Sequence, residues 1–146
     1  MIVPSVVDDD SSLPRYALPG DAGADLRCRE HVILRPGERR LVPTGVRAAI
    51  PDGHVGFVNP RSGLAIRTGL SIVNAPGTID SGYRGEIKVA LVNLDQHEPI
   101  ELQVGDRVAQ LVIVPFVHAQ FVRVDELDDT CLLYTSDAAD EGLGVD

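Results

Sequence analysis

A chain of 146 residues with 44% apolar content has the material for one packed domain. Its formal net charge of −9 excludes an extended nucleic-acid-binding face, which needs clustered Lys and Arg, but allows a small phosphorylated ligand offset locally by a few arginines and a metal ion. Two cysteines, Cys28 and Cys131, exclude a disulfide scaffold; the N-terminus shows neither a secretory leader nor a membrane span, and a cytoplasmic protein with no membrane partner is expected.

The four histidines have no ligand spacing, so zinc is not expected. Aromatic residues make up 4% with no Trp, and Val, Ile, Leu, Gly and Pro fall in short runs. The expected fold is all-β, a jelly-roll-like sandwich or barrel of brief strands with one short helix.

In chain order, Asp21-Ala22-Gly23-Ala24-Asp25-Leu26 is the first informative stretch, a turn that delivers two acids into the start of a strand. Two readings stand side by side. Its carboxylates bond local amides in an Asx-type turn, or Asp25 holds water around a divalent cation. Residues 31–44 read as strand, turn, strand with the reversal at Pro36-Gly37, and residues 46–50 and 53–58 repeat the theme across Pro51-Asp52-Gly53. Residues 60–69 carry the one pattern suited to a short helix. Arg61, Ser62 and Gly63 open it and offer a guanidinium, a hydroxyl and free amides to an oxyanion; the alternative is a plain cap, with Ser62 as N-cap and Arg61 in solvent.

Residues 73–88, VNAPGTIDSGYRGEIK, lie between a β-rich run at 69–73 and an alternating run at 86–92, which predicts a hairpin with an overlong loop. Pro76-Gly77 and Ser81-Gly82 are turn dipeptides, so Thr78-Ile79-Asp80 is expected between two reversals with its amides unclaimed by any sheet ladder. Asp80 and Tyr83, set between glycines, can face one cavity suited to a small ligand with a sugar or ring. Further on, residues 104–115 turn at Gly105-Asp106 and then run apolar on both faces apart from Arg107 and Gln110, as in a strand buried on both sides or set against another subunit. Gln110 there must bond backbone groups or line a pocket.

Four segments in order resemble the first four motifs of the trimeric dUTPases: Asp21 to Leu26, Pro60-Arg61-Ser62-Gly63-Leu64-Ala65, NAPGTIDSGYRGE at 74–86, and Gly105-Asp106-Arg107-Val108-Ala109-Gln110-Leu111. The resemblance implies hydrolysis of dUTP to dUMP and pyrophosphate, which keeps uracil out of DNA and supplies dUMP for thymidylate synthesis, by a homotrimer with three shared sites. By position it implies that Asp80 holds the water that attacks the α-phosphorus and accepts its proton. Tyr83 would pack under the deoxyribose and exclude a 2′-hydroxyl, and Asn74 with hairpin backbone groups would read the uracil edge. Thr78 and Ile79 would line sugar and base, with Lys88 closing that side. Arg61, Ser62, Gly63 and Gln110 would grip the phosphates, and Asp25 would orient waters around a Mg2+ ion chelated by the triphosphate.

The chain departs from that family at its end. Past residues 124–130 the fifth motif, rich in Gly, Ser and Thr with an aromatic, is missing, and residues 131–146 resemble the translation of a sequencing adapter. The expected domain is therefore 1–130, followed by a non-native tail. Without the arm that covers the γ-phosphate, slow turnover is expected of the chain as written. Two rival functions are a dCTP deaminase of the same superfamily, against which the lack of a second acid in residues 87–91 counts, and a non-catalytic nucleotide-binding β module.

Overall fold

The computed structural model describes residues 1–129. In order, its elements are β1 (Ser5–Val7), a 3-10 turn (Asp10–Ser12), β2 (Ala24–Arg27), β3 (Val32–Leu34), β4 (Arg39–Pro43), β5 (Val46–Ala48), β6 (His54–Asn59), α1 (Ser62–Thr68), β7 (Leu70–Ile72), β8 (Gly77–Ile79), β9 (Lys88–Asn93), β10 (Ile100–Leu102) and β11 (Arg107–Pro115). The strands pair only antiparallel, in a four-stranded sheet β2-β11-β6-β8, a three-stranded sheet β4-β9-β7, and two ribbons, β1-β5 and β10-β3. This is the expected all-β, jelly-roll-like sandwich, with one short α-helix among the described residues.

The period-two alternation read from the sequence is what buries the core. Strand β9 sends Val89, Leu91 and Asn93 inward, β2 sends Ala24 and Leu26, and β3, β5 and β10 each bury their first and third residues. Apart from Ala24 and Asn93, these join Val42, Ile50, Val58, Ile72, Ile87, Val108 and Leu111 in one apolar cluster. Asn93 is the polar exception. Its Nδ2 donates to the carbonyls of Leu34 (3.0 Å) and Glu98 (2.9 Å) and its Oδ1 accepts from Asp95 N–H (2.9 Å), so the fully buried amide ties β3 to β9 with its groups satisfied.

Several local expectations change on folding. The hairpin with the long loop is present, with β7 and β9 in register Leu70↔Asn93 to Ile72↔Leu91. Its Thr78 and Ile79, however, are claimed by a ladder: they belong to β8, which crosses to the other sheet and pairs with Phe57 and Gly56 of β6. The turn at Pro36-Gly37 does reverse the chain, but it leads from β3 in one ribbon to β4 in a different sheet, because β3 finds β10 and β4 finds β9. Helix α1 begins at Ser62, so Arg61 is the N-cap residue and contributes no side-chain cap bond; the Ser62 cap does not form. The 3-10 turn, capped by the Asp9 side chain on Ser11 N–H, was unforeseen. The Asx reading holds for Asp21, whose carboxylate accepts from Leu18 N–H at 2.9 Å. The tail boundary at Cys131 lies outside the described residues.

Candidate active site

Strand β11 is the spine of the first half of the site. Its Gln110 stands opposite Asp25 of β2 on one side and Asn59, the last residue of β6, on the other. The chain leaves β6 through Pro60 into α1, and Gln110 Nε2 holds that exit by donating to Pro60 O at 3.0 Å. Arg61 follows in extended conformation and turns its guanidinium back to Asp25, Nε to Oδ1 at 3.5 Å, while Arg107 Nη1 lies 3.8 Å from the other carboxylate oxygen. The Asp25 side chain is only 14% exposed, so the ion pairs fix a largely buried carboxylate at the floor of a cavity of about 360 Å³. Arg61, Ser62, Gly63 and Gln110 line the same cavity.

Two glycines there play different parts. A Cβ on Gly63 would meet nothing within 4 Å, so the start of α1 is left open to whatever approaches from solvent. A Cβ on Gly23 would collide with Gln110 Oε1 and lie 2.9 Å from its Cδ. Gly23 is thus the space in which the Gln110 amide lies.

The second half is built on the hairpin. Thr78, Ile79, Asp80, Tyr83 and Lys88 border a cavity of about 270 Å³ together with Leu41, Glu86 and Ile87. A tight turn, Tyr83 N–H to Asp80 O at 3.1 Å, sets acid and ring on the same side of the loop. The Tyr83 hydroxyl donates to Glu86 O at 2.8 Å. Asn74 is exposed beside Gly77, the first residue of β8, and lies outside both cavities.

The fold therefore divides the residues singled out from the sequence into two sets with no lining residue in common. Asp25, Arg61, Ser62, Gly63 and Gln110 gather at one place, and Thr78, Ile79, Asp80, Tyr83 and Lys88 at another. Sequence reasoning missed Gly23, Arg107, Leu41 and Glu86. Arg107 meets Asp25 through a register shift in the β11–β2 ladder between Arg107 and Ala109, and Leu41 reaches the hairpin only because β4 pairs with β9. Neither has a local signal. Gly85 and Glu86 fall within the segment 74–86 that resembles the third motif, which by itself assigns them no role.

As to a metal, no three His, Cys, Asp or Glu side chains gather among the described residues as a site that would hold an ion by protein ligands alone. Asp25, flanked by two arginines, and Asp21 are the acids that line this cavity, a donor set that suits contact with an ion through water rather than enclosure by protein ligands.

The family model for dUTPase matches residues 9–136. A deoxyuridine 5′-triphosphate nucleotidohydrolase of Cutibacterium acnes is 66% identical over 130 residues, which are 89% of this chain and 85% of that protein. The enzyme of the same description from Thermobifida fusca is 60% identical over 124 residues, 85% of this chain and 69% of that one. Among solved structures, a point variant of the dUTPase from phage phi11 of S. aureus, in which the coordination of a structural Mg(II) ion is described, superposes with a TM-score of 0.80 at 27% identity, covering 88% of this chain and 100% of that one. A variant of the Staphylococcus bacteriophage 80alpha dUTPase with dUpNHpp gives a TM-score of 0.78 at 28% identity, over 88% and 91% of the two chains. Fold and site define a nucleotide-processing β-sandwich enzyme. The chain belongs to the dUTPase family.

Proposed function

We propose that this chain hydrolyses dUTP to dUMP and pyrophosphate, and that the hairpin receives the deoxyuridine while the β2–α1–β11 cavity receives the phosphates. The observation that carries the reading is the sharing of one small cavity by Asp80, Tyr83, Thr78, Ile79 and Lys88. Asp80 is the catalytic group: its carboxylate orients a water and takes a proton from it as the water oxygen bonds to the α-phosphorus and the α–β anhydride bond breaks. Tyr83 packs under the sugar, Thr78 and Ile79 line sugar and base, and Asn74 with hairpin amides reads the uracil edge. Arg61, Ser62, Gly63 and Gln110 hold the phosphates, so that alignment and charge neutralisation lower most of the barrier.

Mg2+ belongs to this reading: Asp25 would hold the ion through water, and the ion would supply neutralisation of charge on the phosphate chain. The two halves lie apart on one chain, and that separation supports a homotrimer in which the hairpin of one subunit faces the phosphate cavity of the next. Among the described residues no helix is long and apolar enough to cross a membrane. On this reading the enzyme acts in the cytoplasm on a free nucleotide, and the net charge of −9 supports a protein without a nucleic-acid partner.

A pyrophosphate-release assay over the deoxynucleoside triphosphates, with and without Mg2+, tests the assignment. Release from dUTP far above the others is expected; ammonia from dCTP, or no preference for dUTP, overturns it. Sedimentation of the intact chain tests the trimer. Residues 131–146 stand in this proposal as a foreign tail, and a chain carrying a Gly-rich fifth motif in their place is expected to turn over faster; equal rates refute that part.

A further inference from the structure

The hairpin leaves its tip through Glu86 and Ile87, and both are fastened to the turn between β4 and β5. Gly45 N–H donates to Glu86 Oε2 at 2.9 Å, Ile87 N–H donates to Val46 O at 2.8 Å, and Thr44 Oγ1 donates to Ile87 O at 2.6 Å. The Tyr83 hydroxyl in turn donates to the backbone carbonyl of Glu86 at 2.8 Å. From below, the ring presses on Gly85, where a Cβ would lie 2.6 Å from the hydroxyl oxygen and 2.8 Å from Cζ. Tyr83 is 43% exposed, so packing alone leaves the ring free to change rotamer. Its place depends on where the Glu86 main chain sits.

Gly45 is itself held from the far side. Its φ of +75° is the left-handed conformation that glycine accepts, its carbonyl takes Asp8 N–H at 3.1 Å, and a Cβ there would run into the Asp8 carboxylate. Asp8 is paired with Arg29 at 3.0 Å. Glu86 accordingly lines two cavities: the one in front with Tyr83, and another of about 320 Å³ behind it with Val7, Asp8, Gly45 and Arg47. Its carboxylate meets the turn at Gly45, and its backbone carbonyl accepts from the hydroxyl of the exposed Tyr83 ring.

We propose that Glu86 is a positioning residue for the sugar side of the pocket: its carboxylate anchors the hairpin exit to Gly45 N–H and so fixes the carbonyl that holds the Tyr83 hydroxyl. This rests on the reading of Tyr83 as the ring under the deoxyribose. Glu86 acts through Tyr83 and sharpens the choice of a deoxyribose over a ribose.

Three substitutions and two readouts decide it. Glu86→Ala removes the acceptor, Glu86→Gln keeps one, and Gly85→Ala pushes on the hydroxyl while leaving the Gly45 bond alone. In steady-state assays Glu86→Ala is expected to raise KM for dUTP about tenfold and to lower the dUTP-over-UTP ratio of kcat/KM about tenfold, with kcat for dUTP within about threefold of the unsubstituted chain. Glu86→Gln restores both values, and Gly85→Ala reproduces the loss. Without any nucleotide, the 13Cζ resonance of Tyr83, assigned by its disappearance in Tyr83→Phe, shifts in Glu86→Ala and returns in Glu86→Gln. An unmoved resonance with an unchanged ratio in Glu86→Ala overturns the inference, as does an unmoved resonance in Gly85→Ala should the former not fold. Failure of the unsubstituted chain to hydrolyse dUTP sinks the functional reading alone, because the resonance comparison still decides the role of Glu86.

Discussion

The β2–α1–β11 cavity and the hairpin cavity are built by opposite means. The first is part of the central sheet: Asp25 and Gln110 face each other across a ladder, two arginines balance the buried carboxylate, and the helix that follows is tied down at Pro60. The second is a loop whose functional side chains are exposed, with Asp80 and Lys88 open to solvent and Tyr83 held by a single hydrogen bond. On the proposed reading, phosphates need cations held in place, which the sheet achieves by fixing Asp25 between Arg61 and Arg107, whereas a nucleoside that enters and leaves needs an open surface.

The largest effect that separates the two halves is expected at Asp80. Asp80→Asn keeps shape and removes the proton acceptor, so kcat falls by about 10² to 10⁴ while nucleotide affinity, measured by calorimetry, stays within a fewfold. A binding module would lose nothing, and equal loss of affinity and turnover would place Asp80 in substrate grip instead.

Arg61→Ala strikes the other half. It removes a charged donor from the phosphates and leaves Asp25 with Arg107 alone, so KM for dUTP is expected to rise about tenfold to a hundredfold in the same assay, with a smaller change in kcat. An unchanged KM would detach the β2–α1–β11 cavity from the substrate.

Gly23→Ala sharpens the claim that this half is rigid. The new methyl must displace the Gln110 amide, and a loss of about 1 to 3 kcal/mol in denaturant unfolding is expected, together with a weaker KM. If stability and KM are both unchanged, the Gln110 side chain is not fixed by that contact.

The smallest effect is acidic. The carboxyls held below their ordinary values among the described residues are Asp8 by the Ser12 hydroxyl, Asp9 by Ser11, Glu38 by the Arg35 amide, Asp95 by the Glu98 amide and Glu101 by the His31 ring, and all five lie outside both cavities. A depressed folded-state pKa contributes stability above the unfolded value and loses it as pH falls through the folded one. Thermal midpoints followed by circular dichroism are therefore expected to fall modestly between about pH 5 and about pH 3, since none of these groups is buried. A flat profile would remove these bonds from the stability of the scaffold.

The sequence by itself determined the all-β class, the position of the α-helix found among the described residues, the long-looped hairpin, and five of the residues bordering each cavity: Asp25, Arg61, Ser62, Gly63 and Gln110 at one, Thr78, Ile79, Asp80, Tyr83 and Lys88 at the other. These are local properties: period-two alternation, turn dipeptides and compact motifs are written within a few residues of one another. Only the tertiary structure decided that Thr78 and Ile79 leave their own hairpin to pair with β6, that Arg107 reaches Asp25, that Gly23 makes room for Gln110, and that Glu86 ties the Tyr83 loop to Gly45. Each of those depends on which strands become neighbours and in what register, and register is fixed by burial of the whole core, which no short window of the chain contains.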